Sequence, residues 1–186
     1  MSRPTRNLRA VLALLATATA LPGLAADYRL EPADSRLEFA ANQQGADFRG
    51  RFERFDATLS LNDEDPSGNR INATIELESV NTEYQERDEY LVGEEWFNAA
   101  EYPQAVFEAS GFSPDENGEF EITAQLTLRG QTRDLPMTFR LDGTRLTGST
   151  VMDRREFGVG MGMWADDDMV SVNVGVEVDV VFTPAE

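Results

Sequence analysis

Residues 170–182 read VSVNVGVEVDVVF, and their alternation decides the fold. Val170, Val172, Val174, Val176, Val178, Val180 and Phe182 share one face, while Ser171, Asn173, Glu177 and Asp179 take the other. A period of two over about 13 residues describes a β-strand with one face buried and the other in water. The same pattern runs back along the chain through Leu37, Phe39 and Ala41; Phe55, Ala57, Leu59 and Leu61; and Ile71, Ala73, Ile75 and Leu77. It resumes in Ala105, Phe107 and Ala109; Phe120, Ile122, Ala124, Leu126 and Leu128; and Leu135, Met137, Phe139 and Leu141. With Leu146 to Asp153 this predicts about eight strands. Turn formers stand between them: Asp65-Pro66-Ser67-Gly68, Asp115-Glu116-Asn117-Gly118, Arg129-Gly130 and Asp142-Gly143.

Short turns join antiparallel neighbours, and about eight such strands close into a barrel that leaves no edge unpaired. The predicted fold is all-β, an antiparallel barrel of about eight strands. A barrel of that size holds its own side chains or one small ligand. Its apolar faces mix large residues with Ala41, Ala57, Ala73, Ala105, Ala109 and Ala124, small enough to leave an elongated void; a flattened, filled core is the alternative. An outer-membrane barrel would need aromatic belts at both rims, and the chain has two Trp and four Tyr.

One segment breaks the pattern. RDEYLVGEEWFNAAEYP, residues 87–103, places Tyr90, Leu91, Trp96 and Phe97 at helix-like spacing around Gly93, with Glu94, Glu95 and Glu101 outward. This predicts a short helical lid over residues 85–97 that caps one end of the barrel. A second irregular run, Gly158-Val159-Gly160-Met161-Gly162-Met163-Trp164, joins flexible backbone to polarizable side chains. It reads as an adaptable apolar rim, with a bulged strand and hairpin as the alternative.

Composition narrows the chemistry. Arg3, Arg6 and Arg9 precede the apolar run Ala10 to Leu21, and small residues follow at Gly23-Leu24-Ala25. That pattern predicts a cleaved signal peptide over residues 1–25 and a single exported domain over 26–186. All 16 basic residues are arginine, and Lys, His and Cys are absent. Ser-His-Asp and Cys-His nucleophiles, Schiff bases, and imidazole or thiolate metal sites are thereby excluded. Carboxylate chemistry remains. Asp63, Asp65 and Gly68 faintly resemble a calcium loop, but Thr74 stands where the closing Glu belongs, so no metal is expected. Without the leader, 13 arginines face 34 carboxylates, a formal charge of −21. Nucleic acid is excluded as a partner. The charge also predicts a halophilic setting, where the screening length falls to about 3 Å near 1 M salt; a denaturation midpoint that fails to rise with NaCl would remove that expectation.

Several motifs in order carry a resemblance: Tyr28-Arg29-Leu30, Asp34-Ser35, Gly50-Arg51-Phe52, Arg87-Asp88-x-x-Leu91, Trp96-Phe97 and Tyr102-Pro103-x-x-x-Phe107. Leu126-Thr127-Leu128-x-Gly130-x-Thr132-Arg133 and Asp153-Arg154-x-x-Phe157-Gly158-Val159 complete it. Together they resemble the signature of the YceI-like family of periplasmic polyisoprenoid-binding proteins. The resemblance implies a lipocalin-like barrel whose apolar tunnel holds a long prenyl chain, that of an isoprenoid quinone or a polyprenyl phosphate, for transport or sequestration. It implies no catalysis and no cofactor beyond the bound lipid. Gln43, Tyr90 and Arg129 stand where relatives often carry histidine, so head-group recognition through imidazole is altered or lost. The rival readings are a carboxylate-dependent hydrolase in the same pocket and a ligand-free, stress-protective or partner-binding barrel.

On this basis the expected wall comprises Phe39, Phe55, Phe107, Phe120, Ile122, Leu126, Met137, Phe139, Val172 and Val174. Leu91, Trp96, Phe97, Met161, Met163 and Trp164 are expected at the mouth, and Arg51, Arg87, Arg129 and Arg133 are the head-group candidates. Ten buried tail carbons contribute about 8 kcal/mol before ordering costs. The negative field opposes a phosphate head and is indifferent to a quinone. Expected partners are the lipid itself, a membrane or quinone-using membrane protein met transiently, and a second copy of the chain.

Overall fold

The computed structural model describes residues 26–62 and 64–185; the expected leader, residues 1–25, lies outside them. The strands are β1 (Ala26–Leu30), β2 (Arg36–Gln43), β3 (Ala46–Phe52), β4 (Phe55–Leu61), β5 (Arg70–Glu76) and β6 (Val80–Asn81). After helix α1 (Gln85–Val92) come β7 (Gln104–Ser110), β8 (Glu119–Leu128), β9 (Gln131–Asp142), β10 (Arg145–Asp153) and β11 (Asn173–Pro184). All pairings are antiparallel, and the order β1-β4-β5-β7-β8-β9-β10-β11 closes on itself through β11 and β1. That ring has eight strands, as the alternation predicts.

The remaining three segments extend strands already in the ring. β2 continues β1, β3 leads into β4, and β6 continues β5, across breaks at residues 31–35, 53–54 and 77–79. Pro32, which has no N–H to give a ladder, lies in the first break. Backbone groups at the breaks still find partners, as buried ones must. Glu53 N–H donates to Ser79 O and Glu76 N–H to Arg54 O, both at 3.0 Å, while Glu31 N–H donates to Val181 O at 2.7 Å. β11 serves both storeys, pairing Val176 with Phe39 of β2 and Phe182 with Leu30 of β1.

Two apolar clusters follow. The base gathers Leu59, Phe120, Phe139, Leu146 and Phe182. The lid end gathers Leu77, Leu91, Trp96, Phe97 and Phe157. Phe112, Phe120 and Phe139 stack at centroid distances of 4.7 and 5.5 Å and fill the base.

Three boundaries differ from the expectation. The helix stops at Val92, because Gly93 leaves helical geometry and its N–H closes the last turn onto Tyr90 O; Trp96 and Phe97 therefore follow on turns. Tyr90 points outward, 56% exposed. The last strand begins at Asn173: Val170 makes an isolated bridge to Gln43, and Val172 lies in a bend with its N–H on Asp167 Oδ1. In the calcium-like loop, Asp65 caps a 3-10 turn by accepting from Ser67 N–H and Oγ; Asp63 lies outside the described residues. Among the described residues no three metal-ligating side chains cluster.

Candidate functional site: an apolar bore beneath a lid

A cavity of about 200 Å³ runs through both clusters, and Arg154 is the one polar residue on a wall otherwise built from Leu, Ile, Val, Phe, Ala, Met and Trp. A cavity of about 150 Å³ holds one benzene, so the bore as it stands accepts about eight carbon-sized groups. Ala41, Ala57, Ala73 and Ala105 line it, while Ala109 and Ala124 pack in the base. Ala57 and Ala73 are cross-strand partners with Phe107 next in the row, so two methyls leave room that larger side chains would fill. Val174, Val176 and Val178 face inward yet stay only half-buried, because their inner surface meets a void.

Of the expected wall, Phe39, Phe55, Phe107, Leu126, Met137, Phe139 and Val174 line the bore, and so do Leu91, Trp96 and Phe97 from the lid. Phe120 and Ile122 instead pack into the base, and Val172 is lost to the bend before β11. Met161 and Met163 are exposed, at 41% and 74%. Trp164 lies beside the lid, its ring against Tyr90 and Trp96 and its Nε1–H on Glu95 Oε2 at 2.8 Å. These three form an outer rim and no part of the wall.

The lid is pinned at its start by Asp88, whose Oδ1 accepts from Thr82 N–H at 2.8 Å and Thr82 Oγ1 at 2.6 Å. Arg87 latches it to the β2–β3 hairpin, donating to Gln43 Oε1 at 3.2 Å with its guanidinium 4.0 Å over the Phe48 ring.

None of the four head-group candidates lines the bore. Arg51 pairs with Glu53 and Glu83 at 3.2 Å on the outer face. The alternation explains it: Phe52 and Gly50 turn inward, so Arg49 and Arg51 turn out. Arg129 donates to the carbonyls of Gly158 and, at 2.7 Å, Glu94. Arg133 donates to Thr132 O and Gln131 Oε1 at the surface.

The arginine that does reach the bore was not among them. Arg154 is 3% exposed, and its five N–H groups all go to backbone carbonyls: Nε to Ser171, Nη1 to Val159 and Gly160, Nη2 to Val170 and Trp164. Among the described residues no carboxylate pairs with it directly. Burial pushes its pKa down and nearby Asp153 resists, but a guanidinium stays charged. Asp153 is engaged instead by Arg155 at 2.6 Å, which holds its carboxyl below the usual range. Arg154 thus hooks the whole 158–171 loop beside the lid. Gly160 permits the approach: at φ +63°, a Cβ would lie 2.5 Å from Arg154 Nη1 and 3.0 Å from the Trp96 ring. The guanidinium stands 5.2 Å from the Trp96 ring centre. Trp96 itself is 7% exposed, and its buried Nε1–H has no acceptor among the described residues.

Comparison with known proteins agrees with this geometry. A family model described as the YceI-like domain matches residues 28–182. A UPF0312 protein of Pectobacterium atrosepticum is 31% identical over 141 residues, 74% of this chain and 73% of its own length. A UPF0312 protein of Yersinia pestis is 31% identical over 128 residues, 67% of this chain and 66% of that one. Among solved structures, BcnA of Burkholderia cenocepacia aligns with a TM-score of 0.73 at 26% identity, covering 83% of this chain and 99% of its own. A domain from Saccharophagus degradans described as polyisoprenoid binding aligns at 0.66 with 18% identity, over 85% and 98%.

Proposed function

The chain belongs to the YceI-like family, and on that premise we propose that it binds one long-chain isoprenoid lipid in its bore and carries or sequesters it in the periplasm. The observation that carries this reading is the wall: a continuous apolar lining beneath a lid, with space left between its own side chains. Burying each tail carbon yields about 0.8 kcal/mol, so the roughly eight carbons the bore accepts contribute about 6 kcal/mol before ordering costs. The solved domain described as polyisoprenoid binding supports the same ligand class.

The head is a neutral quinone in preference to a phosphate. The chain's formal charge of −18 repels an anion, and the four outward arginines are engaged with neighbouring groups. The family is a binding-protein fold, and a hydrolase working in this pocket would need an Asp or Glu on the wall, where none stands among the described residues. Export through the leader would place the carrier in the periplasm, with transient contact to a membrane or a quinone-using membrane protein at delivery.

The test is organic extraction and mass spectrometry of the protein purified from its native periplasm without detergent. A prenyl quinone at near-stoichiometric amount is expected. Protein that arrives empty and displaces no apolar dye would refute the carrier reading.

A further inference from the structure

We propose that Phe139 is a chain-length stop at the blind end of the bore, its position set by Gly148 beside it, so that the site takes up the free hydrocarbon end of one tail to a depth of about eight carbons and no further. This rests on the lipid-binding reading above and goes on to specify how much of the ligand the bore grips.

Phe139 forms the floor. It lines the cavity from β9, is 3% exposed, and stacks at 5.5 Å on Phe120, which stacks in turn at 4.7 Å on Phe112. Phe107 meets it edge-on at 6.3 Å. Leu146 and Phe182 close the same end and are deeply buried. An interior packed to this density yields only when whole rings move, so a chain reaching down the bore halts against the Phe139 ring. No polar side chain stands there among the described residues: Arg154 belongs to the loop beside the lid, where its N–H groups serve the carbonyls of Val159, Gly160 and Trp164 among others. An oxygen carried to this floor would lose its hydrogen bonds to water and find none in return. The hydrocarbon end of the ligand therefore goes down and the head stays toward the lid.

A glycine sets the height of the floor. Gly148 of β10 is the cross-strand partner of Phe139, and the ring lies directly against it. A Cβ at position 148 would stand 2.3 Å from Phe139 Cδ1 and 2.5 Å from Cε1. The φ of Gly148 lies outside the left-handed region, so the backbone has no need of glycine here and the ring does. Glycine inside a strand weakens it; at this position it lets Phe139 draw back over β10 and leave the bore clear. A methyl group would have to push the ring by roughly 1 Å to restore ordinary contact. Phe120 and Phe107 block two sides, and the cavity is the free space that receives it. The same arrangement recurs toward the lid, where Gly50 pairs with Phe39 and a Cβ would lie 2.3 Å from Phe39 Cζ.

The experiment measures binding of the straight-chain alcohols hexanol, heptanol, octanol, decanol, dodecanol and hexadecanol to the delipidated whole protein, by displacement of a fluorescent apolar dye. Each carbon that still finds wall tightens Kd about fourfold. Affinity is expected to climb to about eight carbons and then to stay within about twofold out to hexadecanol. Gly148→Ala raises the floor and is expected to move the break about one carbon shorter, weakening octanol about fourfold. Phe120→Leu thins the layer beneath Phe139 and is expected to move the break longer, so that decanol gains at least about fourfold. Neither residue lines the cavity. Wild-type affinity that goes on climbing through dodecanol, or a Gly148→Ala protein whose break has not moved, overturns the assignment. Should the variants not fold, the wild-type curve decides alone, and a curve without a break overturns it. If the alcohols bind without a break, only this inference fails. If none of them binds, the lipid-binding reading fails with it.

Discussion

Replacing Ala73 by leucine separates a ligand tunnel from a packing fault. Ala73 lies on the bore wall in β5, between Ala57 of β4 and Phe107 of β7. Leucine adds three carbons, which at about 25 Å³ each occupy roughly 75 Å³ of a cavity of about 200 Å³. A prenyl tail must then surrender about three carbons of burial, near 2.4 kcal/mol, which weakens Kd about 50-fold. The empty protein gains the same burial less about 0.5–1 kcal/mol of side-chain ordering, so its stability rises by about 1.5 kcal/mol. Affinity and stability therefore move in opposite directions. Displacement of a fluorescent apolar dye by decylubiquinone reads the first, and denaturant unfolding of delipidated protein the second. Ala124→Leu is the control, because Ala124 is fully buried in the base and away from the bore: overpacking there costs about 1–3 kcal/mol. An Ala73→Leu protein that is more stable yet binds unchanged would refute the reasoning, since the void would then be a defect and no ligand's berth.

Three other outcomes are expected. Arg154→Met leaves the carbonyls of Val159, Gly160, Trp164, Val170 and Ser171 without their donor and should cost at least about 3 kcal/mol, with limited proteolysis cutting first within residues 158–171. Arg87→Ala breaks a half-buried latch, one hydrogen bond to Gln43 and a stack on Phe48, worth about 1–2 kcal/mol together, so denaturation shifts modestly while stopped-flow release of bound ligand accelerates severalfold. With no histidine to titrate, the unfolding midpoint should be flat from about pH 6 to 8. The carboxyls of Asp153, Asp115 and Glu53 are held below their ordinary values of 3.8, 3.8 and 4.5, by Arg155, by the backbone of residues 117–119, and by Asn81 with Arg51 respectively. Their contribution is present above those values and is lost as the pH falls through the lower folded ones, so the midpoint should drop below about pH 4 and not before.

Seven strands of the ring were legible because Val174 to Phe182 and its counterparts alternate cleanly enough to be read without context, and the eighth was read through β2, which continues β1. The half-strands β1, β3 and β6 were not, since two to seven residues with Gly50 or Asp27 among them carry too little apolar signal. The lid's place was visible in its aromatic spacing, and its end at Val92 follows from Gly93. The head-group candidates, arginines weighed by charge alone, lie off the bore; the period of two through Gly50 and Phe52 already turns Arg51 outward. Arg154 stood in the motif Asp153-Arg154-x-x-Phe157-Gly158-Val159, which separates it from Arg155, yet the motif does not say that its side chain is swallowed. Gly158 and Gly160, both at positive φ, are the trace of it, and they point to a tight loop without naming what it wraps.

The aligned interruptions in three neighbouring strands give the molecule a waist on one side only, while β8, β9, β10 and β11 run past it unbroken on the other. The broken side is the weaker seam, and the continuous ladders hold the aromatic floor in order behind it. On the carrier reading, a ligand would enter by parting that seam, with the closed wall opposite left intact.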